Sequence, residues 1–330
     1  NYWFKNSFQI VNLESINSLK SKKIDNNSLY ENGLIKKLDL PYELINQEEP
    51  YEFLRETIDN AIVSIGQIKS SDARKKIYSR LKEYKFNLPV IQSKYAYRSK
   101  YSEVNEGTIL MHFSLVNSYS TIGKNCIINS KSLIEHDVKV GDHCHIATGA
   151  ILNGEVQVGD DTFIGSNTVI APGKCIGNNC LIMIGAHIAH DCMIGNNVIL
   201  ANNASLAGHV VVDDYAILGG LSGVHQFCRI GTHSMIGGLA GVDSDIIPYG
   251  TVVGNRAYLS SLNIIGLKRR GFSKKIIQDL RKAYGLLFIT QEGTLASRIK
   301  EVEEGFNKNE PVMEIVGFLK SSSSRSICKP

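Results

Sequence analysis

Two histidines in this sequence are placed as acid–base catalysts would be. His136 and His190 are each followed directly by an aspartate, Asp137 and Asp191, and none of the remaining seven histidines is. A neighbouring carboxylate can raise the basicity of an imidazole and fix its tautomer, and neutral histidine is a suitable general base near pH 7. We therefore regard these two pairs as candidate catalytic groups.

A glycine lies eighteen residues after each of these histidines, Gly154 after His136 and Gly208 after His190. If residues eighteen apart are neighbours in space, each glycine can bring its backbone N–H to the group under attack and stabilise an oxyanion there. The two pairs are 54 residues apart, which is three such steps. This spacing predicts equivalent positions on one edge of the molecule, about 14 Å from each other.

An internal repeat of six residues supplies the required spacing. Stepping by six from Val104 to Val242 gives 24 positions, and every one is Ile, Leu or Val. The position four residues later is mostly small and holds five of the seven cysteines, which we expect to be buried wall residues. The small residues counted at this position are Cys126, Ser132, Cys144, Ala150, Thr162, Thr168, Cys180, Ala186, Cys192, Ala204, Ala216, Ser222, Cys228, Ser234 and Ala240.

This pattern fits neither a helix period of 3.6 residues nor a simple alternating strand. It predicts an all-β solenoid, a triangular parallel β-helix in which three hexads form one coil. Gly and Asn at the corners, as in 123–125 and 177–179, are expected to supply positive φ. Flanking patterns predict a strand at 61–66, a helix at 71–81, a returning strand at 89–91, and helices over 272–288, 299–306 and 312–319.

We accordingly predict three regions. Residues 1–100 form an N-terminal segment with a partial α/β unit, residues 101–250 form the β-helix, and residues 251–330 form a C-terminal helical domain. The helical domain is expected to close the open end of the solenoid, where unpaired strand edges would otherwise invite aggregation.

Composition narrows the classes of function. The 36 Lys and Arg residues against 32 Asp and Glu are scattered, so nucleic acid is not an expected partner. We expect no membrane-spanning segment and no signal peptide, and hence a cytoplasmic protein. The cysteines show neither a disulfide framework nor metal-ligand spacing, so we expect no metal site and no tightly bound cofactor.

The hexad pattern resembles that of the left-handed β-helix acyltransferases, and this resemblance implies the handedness. A denser resemblance covers about 150 residues up to the C-terminus. Its motifs are Ala186-His187-Ile188-Ala189-His190-Asp191-Cys192, Leu200 through His209, Val224-His225-Gln226-Phe227-Cys228 and Gly266-Leu267-Lys268-Arg269-Arg270-Gly271-Phe272. They resemble the UDP-N-acetylglucosamine acyltransferases of lipid A biosynthesis.

This resemblance implies that His190 is the general base, Asp191 its orienting partner and the Gly208 N–H the oxyanion donor. It implies an acyl-carrier-protein thioester as donor, a UDP-amino sugar as acceptor, and a homotrimer with sites between subunits. The positions that it places near the sugar nucleotide or the acyl carrier are His187, His209, His225, Gln226, Arg256, Asn263, Arg269 and Arg270. In a trimer of this kind, His225 and Gln226 can serve a neighbour's site.

Residues of about 55–175 resemble a different family, the sugar acetyltransferases of the sialic acid and bacillosamine type. The similar segments include Ile134-Glu135-His136-Asp137, His143-Cys144-His145 and Gly154-Glu155-Val156. This second resemblance implies that His136 is the base, Asp137 its partner and Gly154 the oxyanion donor. It also implies that His145 binds the acceptor or the donor, and that the donor is acetyl-CoA.

The two resemblances suggest a fusion of two related proteins, because the hexad register continues through residues 164–188 without a slip. Three hypotheses stay open. The favoured one is acyl transfer from the carrier thioester to a hydroxyl of UDP-N-acetylglucosamine at His190. The others are acetyl-CoA-dependent transfer to an amino sugar or UDP-amino sugar at His136, and an inactive trimeric β-helix scaffold.

Overall fold

The computed structural model describes residues 59–330, so the part of the predicted N-terminal segment before residue 59 lies outside the described residues. The described chain divides into two compact units. One contains residues 59–67 and 71–89, and the other contains residues 68–70 and 90–330.

The smaller unit is built on helix α1, Asp72–Glu83, which confirms the helix predicted at 71–81. Residues 61–66 do not form the predicted strand, and within the described part of the chain a parallel bridge joins the preceding Asn60 to Asn87. The physical reason is that the Arg74 guanidinium, fully buried, donates to the carbonyls of Val63 at 2.6 Å and Ile65 at 2.8 Å. These carbonyls thus bond to a side chain rather than to a neighbouring strand.

The larger unit contains the predicted left-handed parallel β-helix, whose strands follow one another every six residues and form three sheets. Sheet 1 contains β1 (Ile91–Gln92), β4 (Ile109–Leu110), β7 (Ile127–Ile128), β10 (His145–Ile146), β13 (Phe163–Ile164), β16 (Leu181–Ile182), β19 (Ile199–Leu200), β22 (Ile217–Leu218), β25 (Met235–Ile236), β27 (Gly250–Val253) and β28 (Tyr258–Leu262). Sheet 2 contains β2 (Tyr97–Arg98), β5 (Leu115–Val116), β8 (Leu133–Ile134), β11 (Ile151–Leu152), β14 (Val169–Ile170), β17 (His187–Ile188), β20 (Ser205–Leu206), β23 (Gly223–Val224) and β26 (Gly241–Val242). Sheet 3 contains β3 (Glu103–Val104), β6 (Thr121–Ile122), β9 (Lys139–Val140), β12 (Gln157–Val158), β15 (Cys175–Ile176), β18 (Met193–Ile194), β21 (Val211–Val212) and β24 (Arg229–Ile230).

Each solenoid strand pairs in parallel with the strand eighteen residues away, for example His187 with Ser205. All 24 aliphatic positions from Val104 to Val242 point inward and are at most 8% exposed. The small residues four positions later are also buried, including the five cysteines predicted to lie in the wall. Burying an aliphatic side chain of this size stabilises a fold by about 1.5–3 kcal/mol, so the stacked interior holds the coils together.

The solenoid begins earlier than the aliphatic repeat. Strands β1 and β2 occupy the two hexads before Val104, although the residues at the repeat positions are Gln92 and Arg98. Each is only partly buried, and each donates from its side chain to a nearby backbone carbonyl. Because these two positions are polar, the hydrophobic pattern did not reveal the first coil.

Gly and Asn at the corners were both expected to supply positive φ, but in the structure they have different roles. Asn125, Asn179 and Asn197 have the predicted positive φ, between 54° and 57°. Gly177 does not, and it is required for close approach, because a Cβ there would lie 2.5 Å from the carbonyl oxygen of Gly195 in the next coil. The asparagines therefore turn the chain, and the glycine lets adjacent coils stack.

The C-terminal part of this unit contains the predicted helices. They are α3 (Lys274–Tyr284) continued by a π-helical turn at Gly285–Ile289, α4 (Leu295–Phe306) and α5 (Glu310–Lys320), and a short helix that was not predicted, α2 (Ile264–Arg269), precedes them. The side chain of Ser273 caps α3, accepting from the N–H of Ile276. At this end β28 pairs antiparallel with β27, and aromatic side chains of α3, the π-helical turn and α5 pack on the last coils. No helix within residues 59–330 is long and apolar enough to cross a membrane.

Candidate active site

Both candidate catalytic pairs lie where sheet 2 turns into sheet 3, which we call the sheet 2–3 corner. His136 and Asp137 follow β8, and His190 and Asp191 follow β17. Gly154 and Gly208 occupy the same corner one coil later. The eighteen-residue repeat thus brings each histidine next to its glycine, as the sequence predicted.

In the pair that we call the His190 unit, the ring Nδ1 of His190 lies 2.9 Å from Oδ2 of Asp191. An ionised carboxylate only accepts hydrogen bonds, so the Nδ1–H donates and Nε2 is left able to take a proton. The His190 side chain is 62% exposed, so a substrate can approach it. Asp191 itself adopts a positive φ of 57°, which turns its side chain back toward the histidine at the corner.

Gly208 lies directly against the reactive edge of this ring. A Cβ built on Gly208 would lie 2.5 Å from Cε1 and 2.6 Å from Nε2 of His190, so only glycine leaves the ring its place. The Gly208 carbonyl accepts from Phe227, and its N–H donates to no residue in the described part of the chain. That N–H is therefore positioned to serve as a donor beside the proton acceptor.

The His136 unit has the same geometry. Nδ1 of His136 lies 2.9 Å from Oδ2 of Asp137, and a Cβ on Gly154 would lie 2.6 Å from Cε1 of His136. The hydrogen bond that His136 donates to Asp137 raises the pKa of His136, and the nearby charges of Glu135 and Glu155 act in the same direction.

Asp191 has two further basic neighbours. Its Oδ1 accepts from Nζ of Lys174 at 3.1 Å, and Nε2 of His209 lies 3.8 Å from its Oδ2. Hydrogen bonds from His190 and then from Lys174 lower the pKa of Asp191. Donor atoms of His190, Asp191 and His209 lie within 4.8 Å of one another, close enough for a divalent cation to bridge them. The ammonium of Lys174 on the same carboxylate would oppose such a cation.

Several other candidate residues surround the His190 unit. The ring of His209 packs edge-on against His190, with centroids 5.0 Å apart, and stacks on Phe227 at 4.7 Å. His225 and Gln226 are exposed at the same corner one coil beyond Gly208. His187 is exposed on sheet 2, on the strand that leads into the corner.

The remaining candidates lie elsewhere. Asn263 is buried as the N-cap of α2, accepting from the N–H of Gly266 at 3.0 Å and donating to the carbonyl of His233 at 2.9 Å. Arg270 binds the Tyr215 carbonyl and Nδ1 of His233, whereas Arg256 and Arg269 are exposed. His145 is buried on sheet 1 against Phe163, and so lies away from the corner that holds His136.

Two residues of the site were missed from the sequence. Lys174 occupies one of the small inward positions, and the hexad count would have found it as the one lysine in that series. Arg325 donates from Nε to the Gln226 carbonyl at 2.9 Å and contacts Nδ1 of His225 through its guanidinium. Arg325 lies about 100 residues from its partners and in no repeat, so the sequence carries no signal for this contact.

Comparisons with known proteins agree with this architecture. The family model described as "Udp N-acetylglucosamine O-acyltransferase; Domain 2" matches residues 245–328. The model "Bacterial transferase hexapeptide (six repeats)" matches residues 119–154, 137–172 and 176–208.

Among curated proteins, the chain is 53% identical over 89 residues to an acyl-[acyl-carrier-protein]–UDP-N-acetylglucosamine O-acyltransferase of Methylobacterium radiotolerans, covering 27% of this chain and 32% of that protein. It is 48% identical over 89 residues to a protein of the same name from Caulobacter vibrioides, covering 27% and 34%. The aligned part therefore spans about a third of the length of these curated relatives.

Solved structures match over a longer stretch. UDP-N-acetylglucosamine acyltransferase from Campylobacter jejuni is 32% identical with a TM-score of 0.68, and the match covers 72% of this chain and 99% of that one. The Arabidopsis enzyme is 30% identical with a TM-score of 0.64, covering 72% and 100%. Because nearly the whole of these relatives is matched at this identity, the chain belongs to the UDP-N-acetylglucosamine acyltransferase family.

Proposed function

We propose that this chain transfers an acyl group from an acyl-carrier-protein thioester to a hydroxyl of UDP-N-acetylglucosamine, with His190 as general base. The observation that carries the proposal is the arrangement of His190, Asp191 and Gly208, in which a proton acceptor and an unpaired backbone donor lie side by side. The names of the relatives, which specify this donor and this acceptor, support the choice of substrates.

The chemistry follows from these three groups. Nε2 of His190 takes the proton of the sugar hydroxyl while the hydroxyl oxygen bonds to the thioester carbonyl carbon. The carbonyl electrons move to its oxygen, which accepts from the Gly208 N–H. When this intermediate collapses, the carbon–sulfur bond breaks and the thiolate takes the proton from His190. Asp191 holds the ring and stabilises its protonated form.

The charges around His190 suit anionic substrates. Lys174 and His209 lie beside Asp191, and Arg325 lies one coil further along the same corner. A nucleoside diphosphate and an acidic carrier protein would both be attracted to such a surface. We place His187, His209, His225 and Gln226 nearest the substrates, with Arg256 and Arg269 as further contacts for phosphate or carrier. Asn263 and Arg270 support the site by anchoring α2, and we propose a homotrimer.

Separate substitution of the two histidines tests the proposal. With acyl carrier protein and UDP-N-acetylglucosamine as substrates, His190→Ala should reduce kcat/KM by about 10³-fold, because a positioned general base contributes about 10²–10⁴. His136→Ala is the matched control at the equivalent corner and should retain the wild-type rate. Near-normal turnover by His190→Ala would refute the assignment, and no turnover by the wild type would favour an inactive scaffold.

A second candidate function is acetyl transfer at the His136 unit, with acetyl-CoA as donor and an amino sugar as acceptor. It is favoured by the surrounding acidic groups, Glu135, Asp137 and Glu155, which would attract a protonated amine. In this proposal the chain is a fusion of two related proteins. We expect acetyl-CoA to be consumed when an amino-sugar acceptor is present. This activity should be lost in His136→Ala and kept in His190→Ala.

A further inference from the structure

Lys174 occupies a position that holds small or aliphatic residues throughout the rest of the described solenoid. The series runs every six residues from Thr108 to Ala240, and each member points into the coil. Elsewhere it contains only Thr, Ser, Cys, Val and Ala. The Lys174 side chain is nevertheless just 1% exposed. A charge in this place requires a partner, since an unpaired buried ammonium is strongly unfavourable.

The partner of Lys174 is the carboxylate of the His190 unit. Nζ donates to the Gly173 carbonyl at 2.7 Å and to Oδ1 of Asp191 at 3.1 Å. The other carboxylate oxygen, Oδ2, accepts from His190 at 2.9 Å. Asp191 is thus held from inside the solenoid by an ammonium and from outside by the catalytic imidazole.

We propose that Lys174 is a positioning residue for acyl transfer, a buried ammonium that fixes the Asp191 carboxylate against His190 and sets the charge that His190 senses. This inference rests on the proposed role of His190 as base. Lys174 touches neither substrate nor the reacting atoms, and it acts through Asp191 alone.

Two effects follow from this placement. First, one carboxylate oxygen is anchored to a side chain that is itself immobilised in the core, so the orientation of the imidazole is fixed before substrate binds. Second, the positive charge opposes protonation of His190 and partly offsets the attraction of Asp191. The other titratable groups that face Asp191 are His209 and the buried thiol of Cys192, whose pKa is raised by burial.

The test compares Lys174→Met with Lys174→Arg and with Lys139→Met. Methionine keeps an unbranched apolar stem without the charge, arginine restores the charge, and Lys139 is an exposed lysine on the same sheet. Two quantities are measured for each folded variant. One is the pH dependence of kcat/KM with acyl carrier protein and UDP-N-acetylglucosamine, and the other is the NMR titration of the His190 Cε1–H, assigned by its loss in His190→Ala.

In Lys174→Met we expect the acid limb of the rate profile and the His190 titration midpoint to move to higher pH, because a positive charge near the ring is lost. We expect kcat to fall about tenfold with little change in KM, because orientation is lost rather than binding. Lys174→Arg should return the midpoint most of the way, and Lys139→Met should match the wild type.

An unchanged His190 midpoint in folded Lys174→Met would overturn the proposal, even if kcat fell, because a merely structural role would leave the titration in place. If Lys174→Met does not fold, Lys174→Ala replaces it, since alanine occupies this position in several other coils. The titration does not depend on turnover. A wild-type protein without transferase activity would therefore refute the proposed function while the NMR result still decided the role of Lys174.

Discussion

The His136 unit and the His190 unit have the same internal geometry in opposite electrostatic surroundings. Both have a 2.9 Å contact from histidine to aspartate and a glycine pressed against the ring one coil later. Equivalent positions of the two units are 54 residues apart and differ in charge, however. Ser120 in the first corresponds to Lys174 in the second, and Glu155 corresponds to His209. One unit is surrounded by acids and the other by bases.

This difference shows that backbone geometry and charge are specified separately in a repeat solenoid. The hexads position the catalytic atoms, while corner and inward side chains set the charge around them. The hydrogen bond to Asp137 and then the charges of Glu135 and Glu155 raise the pKa of His136, whereas hydrogen bonds from His190 and then from Lys174 lower the pKa of Asp191. The basic groups beside Asp191, Lys174 and His209, favour the His190 unit for transfer to an anionic sugar nucleotide, because they attract its phosphates.

The strongest test of this comparison adds one methyl group to each unit. Gly208→Ala places a Cβ within 2.6 Å of the His190 ring, which must rotate away from the reactive position. We expect kcat/KM for carrier-dependent transfer to fall about 10²-fold, as displacements of this kind do. Gly154→Ala makes the same clash with His136 and should leave that rate unchanged. Equal losses in the two variants would show that the units work together.

The second test removes one carboxylate charge from each unit. Asp191→Asn leaves the buried Lys174 ammonium without its charged partner, so Tm should fall at pH 7, on the order of 3 °C. Asp137→Asn has no buried lysine to expose and should change Tm much less. Because the pKa of Asp191 lies below its ordinary value of 3.8, the Tm difference should begin to shrink near pH 3.8 and vanish only once the pH falls below that lowered pKa. Thermal unfolding followed by circular dichroism measures both variants.

The third test concerns the basicity of His136. In Asp137→Asn the principal cause of its raised pKa is removed, so the pKa should fall toward the ordinary value of 6.5. Glu155→Gln removes only the smallest of the causes that raise the pKa of His136 and should lower it less. NMR titration of the His136 Cε1–H distinguishes the two. A larger change in Glu155→Gln would mean that long-range charge dominates.

The smallest expected effect is a loss of stability at low pH that is due to His233, a histidine outside both units. Measuring it prevents this acid sensitivity from being assigned to either unit. Burial and then the charge of Arg270 lower the pKa of His233 to about 4, whereas Asp214 acts in the opposite direction. The unfolded chain therefore takes up a proton first as pH falls from 6.5. The free energy of unfolding should decrease by about 1 kcal/mol by pH 5, after allowance for solvent screening of the partly exposed ring.

His233→Phe is the variant that isolates this contribution. It keeps the stacking on Tyr215 and Tyr249, whose rings lie 4.6 Å and 5.6 Å from His233, and removes the titrating group. Urea unfolding at pH 7 and at pH 5 should then give nearly equal stabilities. If the acid loss persists in His233→Phe, it must come from other groups.

The solenoid could be predicted from the sequence because its interior accepts one kind of side chain at each position of the hexad. Unbroken aliphatic positions fixed the register, and eighteen-residue spacing placed His190 against Gly208. The prediction failed where polar groups replace that pattern. Gln92 and Arg98 interrupt the aliphatic repeat, so the first coil was not predicted. Arg74 donates to carbonyls that would otherwise accept from a neighbouring strand. The Lys174–Asp191 contact depends on where a long side chain turns, which spacing does not specify.

The wall cysteines make this protein suitable for site-specific labelling without prior mutagenesis. Six of its seven thiols are buried, and burial raises the pKa of Cys180 to about 11 and that of Cys228 to about 12. Cys175 alone is exposed, and it directly follows Lys174. A maleimide dye should therefore attach at one place on sheet 3, next to the His190 unit, and any additional labelling would report that coils have opened.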